Sequence, residues 1–168
     1  SYDPNAIVNP DTAESAWQAL NEDPGKPLLN QAAQEQLPPG SIFKIITTAA
    51  GLRAGYTPDS QLTAEAAITL PGTEVQLTNY GGKACGGGGG TTTLDQAFTL
   101  SCNTAFVEMA TEIGEQPMRE MSTAFGVGQQ YDLGLPNAAG SLGDLEDLAA
   151  VGMSAIGQRD VTMTCLLY

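Results

Sequence analysis

The sequence predicts a mainly α chain with one small β-hairpin, and three stretches predict it. Residues 41–54 run largely apolar after Pro38, Pro39 and Gly40, with no further breaker until Gly51. That is the pattern of a helix buried by other elements. Over residues 103–113 the apolar positions Ala105, Phe106, Met109, Ala110 and Ile113 keep the spacing of a second buried helix. Between the two, Ile68 and Leu70, then Val75 and Leu77, flank Pro71-Gly72, two short β-rich runs about a turn.

The remaining elements follow in order. Residues 11–20 read as a short helix with Asp11 as N-cap and Trp17 packing inward. Pro24-Gly25-Lys26-Pro27 is a turn, and residues 30–37 hold one or two helical turns. Gly55 closes the helix of residues 41–54. The glycine-rich run 80–90 reads as a mobile surface loop, because no Gly-Lys-Ser/Thr follows to make it a phosphate cradle. Residues 93–98 predict a short helix ending near Ser101, and residues 118–125 a third helix ended by Gly126. Residues 131–142 are mostly loop, and 144–156 are helical in part. The acidic pairs Glu108/Glu112 and Glu146/Asp147 read as solvated helix faces.

Composition narrows the chemistry. The 168 residues give room for one domain with a real core. The net charge of −13 argues against nucleic acid or an anionic membrane face as partner. No run approaches the ~18 apolar residues of a membrane helix. The chain has no histidine, which excludes a Ser-His-Asp triad or a Cys-His dyad within it. Three scattered cysteines do not make the close ligand pairs of a zinc site, so no metal and no cofactor is expected. A general base must be a carboxylate or a lysine. Of Lys26, Lys44 and Lys83, only Lys44 lies in an apolar helical context.

Ser41 and Lys44, three residues apart, share a helix face with Cβ atoms roughly 5–6 Å apart. A serine hydroxyl needs a base to become a nucleophile. An ammonium held at a helix start, away from bulk water, can lose its proton and be that base. The same helix end offers free N–H groups to an oxyanion. The plainer alternative makes Ser41 a simple N-cap. Downstream, Ser101-Cys102-Asn103 lies between two helical segments, where it can present a hydroxyl and an amide to a cleft.

Ser-x-x-Lys at Ser41 and Lys44, after Pro-Pro-Gly and before Thr-Thr-Ala-Ala, followed by Ser-x-Asn at Ser101 and Asn103, resembles the transpeptidase domain of penicillin-binding proteins. The surrounding sequence is most similar to the class B type of actinobacterial cell-wall synthesis, over essentially the whole chain. The resemblance implies that Ser41 is acylated by the D-Ala-D-Ala end of a peptidoglycan stem peptide, with Lys44 accepting its proton. It implies that Ser101 relays a proton to the leaving amine and that Asn103 orients the substrate amide. β-Lactams would acylate the same serine. A membrane-embedded glycan polymerase of the SEDS type is the implied partner, on the extracytoplasmic face of the membrane, with an anchor outside this chain.

Two departures from the family qualify the expectation. The third motif, Lys-Thr-Gly or Lys-Ser-Gly, is absent, and Lys83-Ala84-Cys85 precedes Ser101 and does not replace it. After Thr164, where the family reads Pro-Leu, this chain has Cys165-Leu166. Residues 1–168 are therefore expected to be part of one transpeptidase domain, cut short at both ends. They would form the helical lobe of an α/β, β-lactamase/transpeptidase-like fold without its central sheet, and would not turn over substrate alone. A serine β-lactamase or D,D-carboxypeptidase shares Ser-x-x-Lys, and a non-catalytic wall-binding module is the alternative from another class. In an extracytoplasmic protein Cys85 and Cys102 can form a disulfide; otherwise Cys102 is a small buried filler and Cys85 a free loop thiol. Cys165 is assigned no role.

Overall fold

The computed structural model describes residues 2–165. In chain order it has α1 (Asn5–Val8), α2 (Ala13–Glu22), α3 (Gln31–Gln34), a 3₁₀ turn (Gly40–Phe43), α4 (Lys44–Arg53), β1 (Gln61–Thr63), β2 (Ala67–Thr69) and β3 (Gln76–Thr78). Two 3₁₀ turns follow (Tyr80–Gly82 and Cys85–Gly87), then β4 (Thr91–Thr93), α5 (Leu94–Thr99), α6 (Asn103–Ile113), α7 (Glu115–Ala124) and α8 (Leu148–Ala155). Mainly helical with a small hairpin, the architecture is the expected one.

Helix α6 is the hub. Its buried Phe106, Val107 and Met109 belong to one cluster with residues of the ribbons, α5 and the end of α8, while Ala110 joins a second cluster formed by α4, α7 and α8. Each fully buried side chain of this size contributes roughly 1.5–3 kcal/mol. Helix α8 lies close on α6 at Gly152, where a Cβ would meet Val107 Cγ1 at 2.7 Å. Thr47 on α4 donates to the Ala155 carbonyl at the end of α8 (2.7 Å), which fixes α4 from the other side.

Helix α4 ends as its sequence predicts. Gly55 has φ of 109°, its N–H bonds Leu52 O, and Tyr56 N–H reaches back to Gly51 O. This is the paired bonding of a glycine-terminated helix. The expected all-round burial of α4 does not hold. Lys44, Ile46, Thr47 and Ala50 are buried, but Ile42, Ile45 and Leu52 remain half exposed along one stripe. The described elements pack only one side of the helix.

The hairpin forms where predicted. Strands β2 and β3 pair antiparallel with Ile68 opposite Leu77, and Leu70 N–H bonds Val75 O at the turn. A second ribbon, β1 with β4, was not anticipated. It pairs Leu62 with Thr92 across the whole hairpin and glycine loop, so its only local signal is the β-branched Thr91-Thr92-Thr93.

Two further expectations are corrected. Trp17 is 53% exposed; α2 turns Ala13, Ala16 and Leu20 inward at helical spacing, and Trp17 falls beside that face. The acidic pairs are not merely solvated. Glu108 accepts the Thr63 N–H (2.5 Å), tying α6 to β1, and Glu112 accepts from Tyr56. Glu146 pairs with Arg159, and Asp147 caps α8 through Ala150 N–H (2.7 Å).

Candidate active site

Ser41 lies inside the 3₁₀ turn that leads into α4, not at a cap, and its side chain caps no N–H. In a 3₁₀ turn residues i and i+3 eclipse, so Ser41 and Lys44 are stacked more directly than on an α-helix. The Lys44 Nζ stands 3.3 Å from Ser41 Oγ. The Ser41 N–H has no backbone acceptor among the described residues, so its hydrogen is available to a ligand oxygen.

Lys44 is only 2% exposed. Its Nζ donates to the Ser101 carbonyl (2.7 Å) and to Asn103 Oδ1 (2.7 Å), and lies 3.0 Å from Ser101 Oγ. It also sits 5.5 Å from the centroid of the Phe106 ring. No carboxylate pairs with it among the described residues. Burial therefore acts unopposed and lowers its pKa from 10.5 to about 8. The two carbonyl-type acceptors can only receive hydrogens, so they take two N–H bonds of a neutral amine. Its lone pair is then left facing the two serine hydroxyls, either of which can donate to it.

The conformation of Ser101 produces this arrangement. Helix α5 ends with Ser101 N–H bonded to Phe98 O and Cys102 N–H to Ala97 O, the bonding that usually places glycine at the left-handed position. Here that position is Ser101, with φ of 56°. The left-handed turn is where its carbonyl meets Lys44. That conformation is costly for a serine, and the two helix-end bonds together with the Lys44 contact hold it there. Asn103, the first residue of α6, donates through Nδ2 to Thr78 O on β3 (3.0 Å), which fixes the orientation of its amide.

Behind the turn, Cys85 and Cys102 are joined by a disulfide with Cα atoms 5.8 Å apart. It ties the glycine loop to the middle residue of the Ser101–Asn103 corner. The loop is further held by Asn79, whose Nδ2 donates to Glu65 O and Lys83 O while its Oδ1 accepts from Thr104 N–H. For a 17-residue separation the cross-link contributes roughly 3 kcal/mol. Reduction of the full-length protein is therefore expected to lower its thermal midpoint by several degrees. Equal midpoints with and without reductant, checked by thiol titration, would remove the tether from the account.

Ser41, Ser101 and Asn103 line one open cleft of about 610 Å³, together with Thr78, Tyr80 and Leu100. The four residues singled out from sequence thus meet at Lys44 Nζ. Phe106, Thr78 and Asn79 were not foreseen, because an aromatic on an apolar face and polar loop residues carry no mark of their own. The 166–168 portion of the divergent tail lies outside the described residues; Cys165 is an exposed free thiol.

Residues 1–166 match the family model described as penicillin binding protein transpeptidase domain. The chain is 47% identical over 169 aligned residues to the peptidoglycan D,D-transpeptidase PbpA of Mycobacterium tuberculosis, covering 99% of this chain and 34% of that relative. It superposes with a TM-score of 0.93 and 47% identity on the imipenem acyl-enzyme complex of penicillin-binding protein A from M. tuberculosis, over 99% of this chain and 39% of that one. A chain in a peptidoglycan synthase complex that coordinates polymerization and crosslinking matches at 28% identity and a TM-score of 0.83, over 99% and 30% of the respective chains. The chain spans about a third of the length of the PbpA relatives and about a fifth of the length of the more distant curated relatives it matches.

Proposed function

The chain belongs to the penicillin binding protein transpeptidase family, and on that premise we propose that Ser41 is the nucleophile of a peptidoglycan D,D-transpeptidase. Ser41 Oγ attacks the carbonyl between the two terminal D-alanines of a stem peptide as its proton passes to Lys44 Nζ. The Ser41 N–H receives the oxyanion. Collapse breaks the peptide bond, and the departing D-alanine amine takes a proton relayed through Ser101. Asn103 holds the substrate amide meanwhile. The amine of a neighbouring stem then attacks the acyl-enzyme, forms the cross-linking amide and returns the proton to Ser41.

The observation that carries this reading is the buried Lys44 Nζ within hydrogen-bond reach of Ser41, Ser101 and Asn103 at once, with no carboxylate paired to it among the described residues. The acyl-enzyme formed by the M. tuberculosis relative supports covalent capture of β-lactams by Ser41. The match within a synthase complex supports a glycan polymerase of the SEDS type as partner, which sets the work on the extracytoplasmic face of the membrane.

Labelled penicillin tests the proposal on the full-length gene product. Stable covalent label, mapped to the peptide that contains Ser41, is the expected result. Rapid hydrolysis of the β-lactam would make the protein a β-lactamase instead. Reversible binding without attachment would make it a wall-binding module.

A further inference from the structure

The cleft at Ser41 continues into a second hollow of about 530 Å³ under the glycine loop, sharing Asn79, Tyr80, Leu100 and Ser101 with it. Its back wall is the Cys85–Cys102 disulfide. None of its lining residues is acidic, although the chain has 19 Asp and Glu against 6 Lys and Arg. Among the polar groups it offers, two are donors without a partner among the described residues. Lys83 forms no ion pair among the described residues. Gln96 accepts from Thr92 through Oε1, which leaves its Nε2 hydrogens unspent. Tyr80 is 98% exposed at the rim shared by the two hollows, an aromatic with a polar tip of the kind that gains most from a bound partner.

The position of Lys83 is fixed by its surroundings. Its carbonyl receives Asn79 Nδ2 (3.2 Å), and two residues on, Cys85 is held by the disulfide and by its N–H to Ala64 O (2.7 Å). The main chain that carries the cation is thus tied to the element that carries Asn103. On a protein with net charge −13, a local cation free of carboxylate neighbours is a favourable place for an anion.

From these observations, and resting on the transpeptidase reading, we propose that this hollow is a substrate subsite. It takes a carboxylate borne on the stem peptide away from the scissile bond, with Lys83 as its cation, Gln96 as a second donor and Tyr80 covering the peptide backbone. Lys83 then selects stems that carry a free carboxylate over those in which it is a primary amide. A rim-exposed charge-assisted pair of this kind is worth about a threefold to tenfold change in KM.

The test uses the full-length protein and two synthetic D-Ala-D-Ala pentapeptides, one with a free carboxylate on its interior γ-linked residue and one with the corresponding amide. The unaltered protein should favour the carboxylate peptide in KM, with kcat nearly equal. Lys83→Gln should remove the preference, Lys83→Glu should invert it, and Lys83→Arg should retain it. An unchanged KM ratio across all four proteins, each with the same thermal midpoint, overturns the subsite. If the unaltered protein takes no covalent penicillin label on Ser41, the failure lies with the transpeptidase reading instead.

Discussion

Lys44→Arg in the full-length protein should slow acylation of Ser41 by about 10³-fold, within the range associated with loss of a general base. Arginine keeps the positive charge and can still donate to Ser101 O and Asn103 Oδ1, but it does not deprotonate in a protein. The substitution therefore separates two roles that the geometry leaves superimposed: a cation that orders the site and a base that takes a proton. The pH profile reads the same distinction. With its pKa lowered to about 8, Lys44 is about one-tenth neutral at pH 7. Acylation by the unaltered protein should rise with pH through that value, and the Arg variant should lose this inflection. Stability runs in the same direction. The unfolded chain keeps this proton up to about 10.5 and the folded one releases it near 8, so the fold gains stability as pH rises between them. Rates of labelled-penicillin acylation from pH 6 to 10 decide the matter; an Arg variant within tenfold of the unaltered protein, with the same inflection, rules Lys44 out as the base.

What was legible in the sequence divides along a physical line. An apolar run after Pro38-Pro39-Gly40 locates α4, periodic apolar spacing locates α6, and the Pro71-Gly72 turn locates the β2–β3 ribbon, because those signals are local. The three-residue step from Ser41 to Lys44 fixed their relative placement before any tertiary contact was known. The step from Lys44 to Ser101 and Asn103 came only from the order of two short motifs, since the contact depends on how α5 ends. The Ser101 turn gave no warning, because a left-handed serine looks like any other serine in a sequence. The β1–β4 ribbon was hidden for a related reason: its strands are brought together by everything folded between them. Trp17 departs from the expectation because size alone does not choose the inward face, which here belongs to Ala13, Ala16 and Leu20.

The position of Ser41 depends on a contact that no motif shows, and Gly157→Ala should expose it by slowing acylation about 100-fold. Gly157 has φ of 67°, and a Cβ built on it would lie 2.1 Å from Gly40 O and 2.6 Å from Gly40 N. Both are backbone atoms of the residue before Ser41, so no side chain can rotate away to relieve the overlap. The Gly40 N–H also bonds Gly157 O at 3.0 Å, and the methyl would break the contact that sets the 3₁₀ turn. A displacement of about 1 Å at a reacting group costs on the order of 10²-fold in rate. Left-handed alanine adds roughly 1–2 kcal/mol of strain, so a loss of stability must be separated from a loss of placement. Gly55→Ala supplies the comparison: its φ of 109° is similarly unfavourable, but the added Cβ meets no atom within 4 Å and its place at the far end of α4 is remote from Ser41. Gly55→Ala should lower the thermal midpoint while leaving the acylation rate within a few-fold of the unaltered protein. Gly157→Ala should lower the maximal acylation rate at saturating penicillin far more than it changes the penicillin concentration needed to reach half of it. If the two variants lose rate in proportion to stability alone, the Gly40–Gly157 contact holds the fold and does not place the nucleophile.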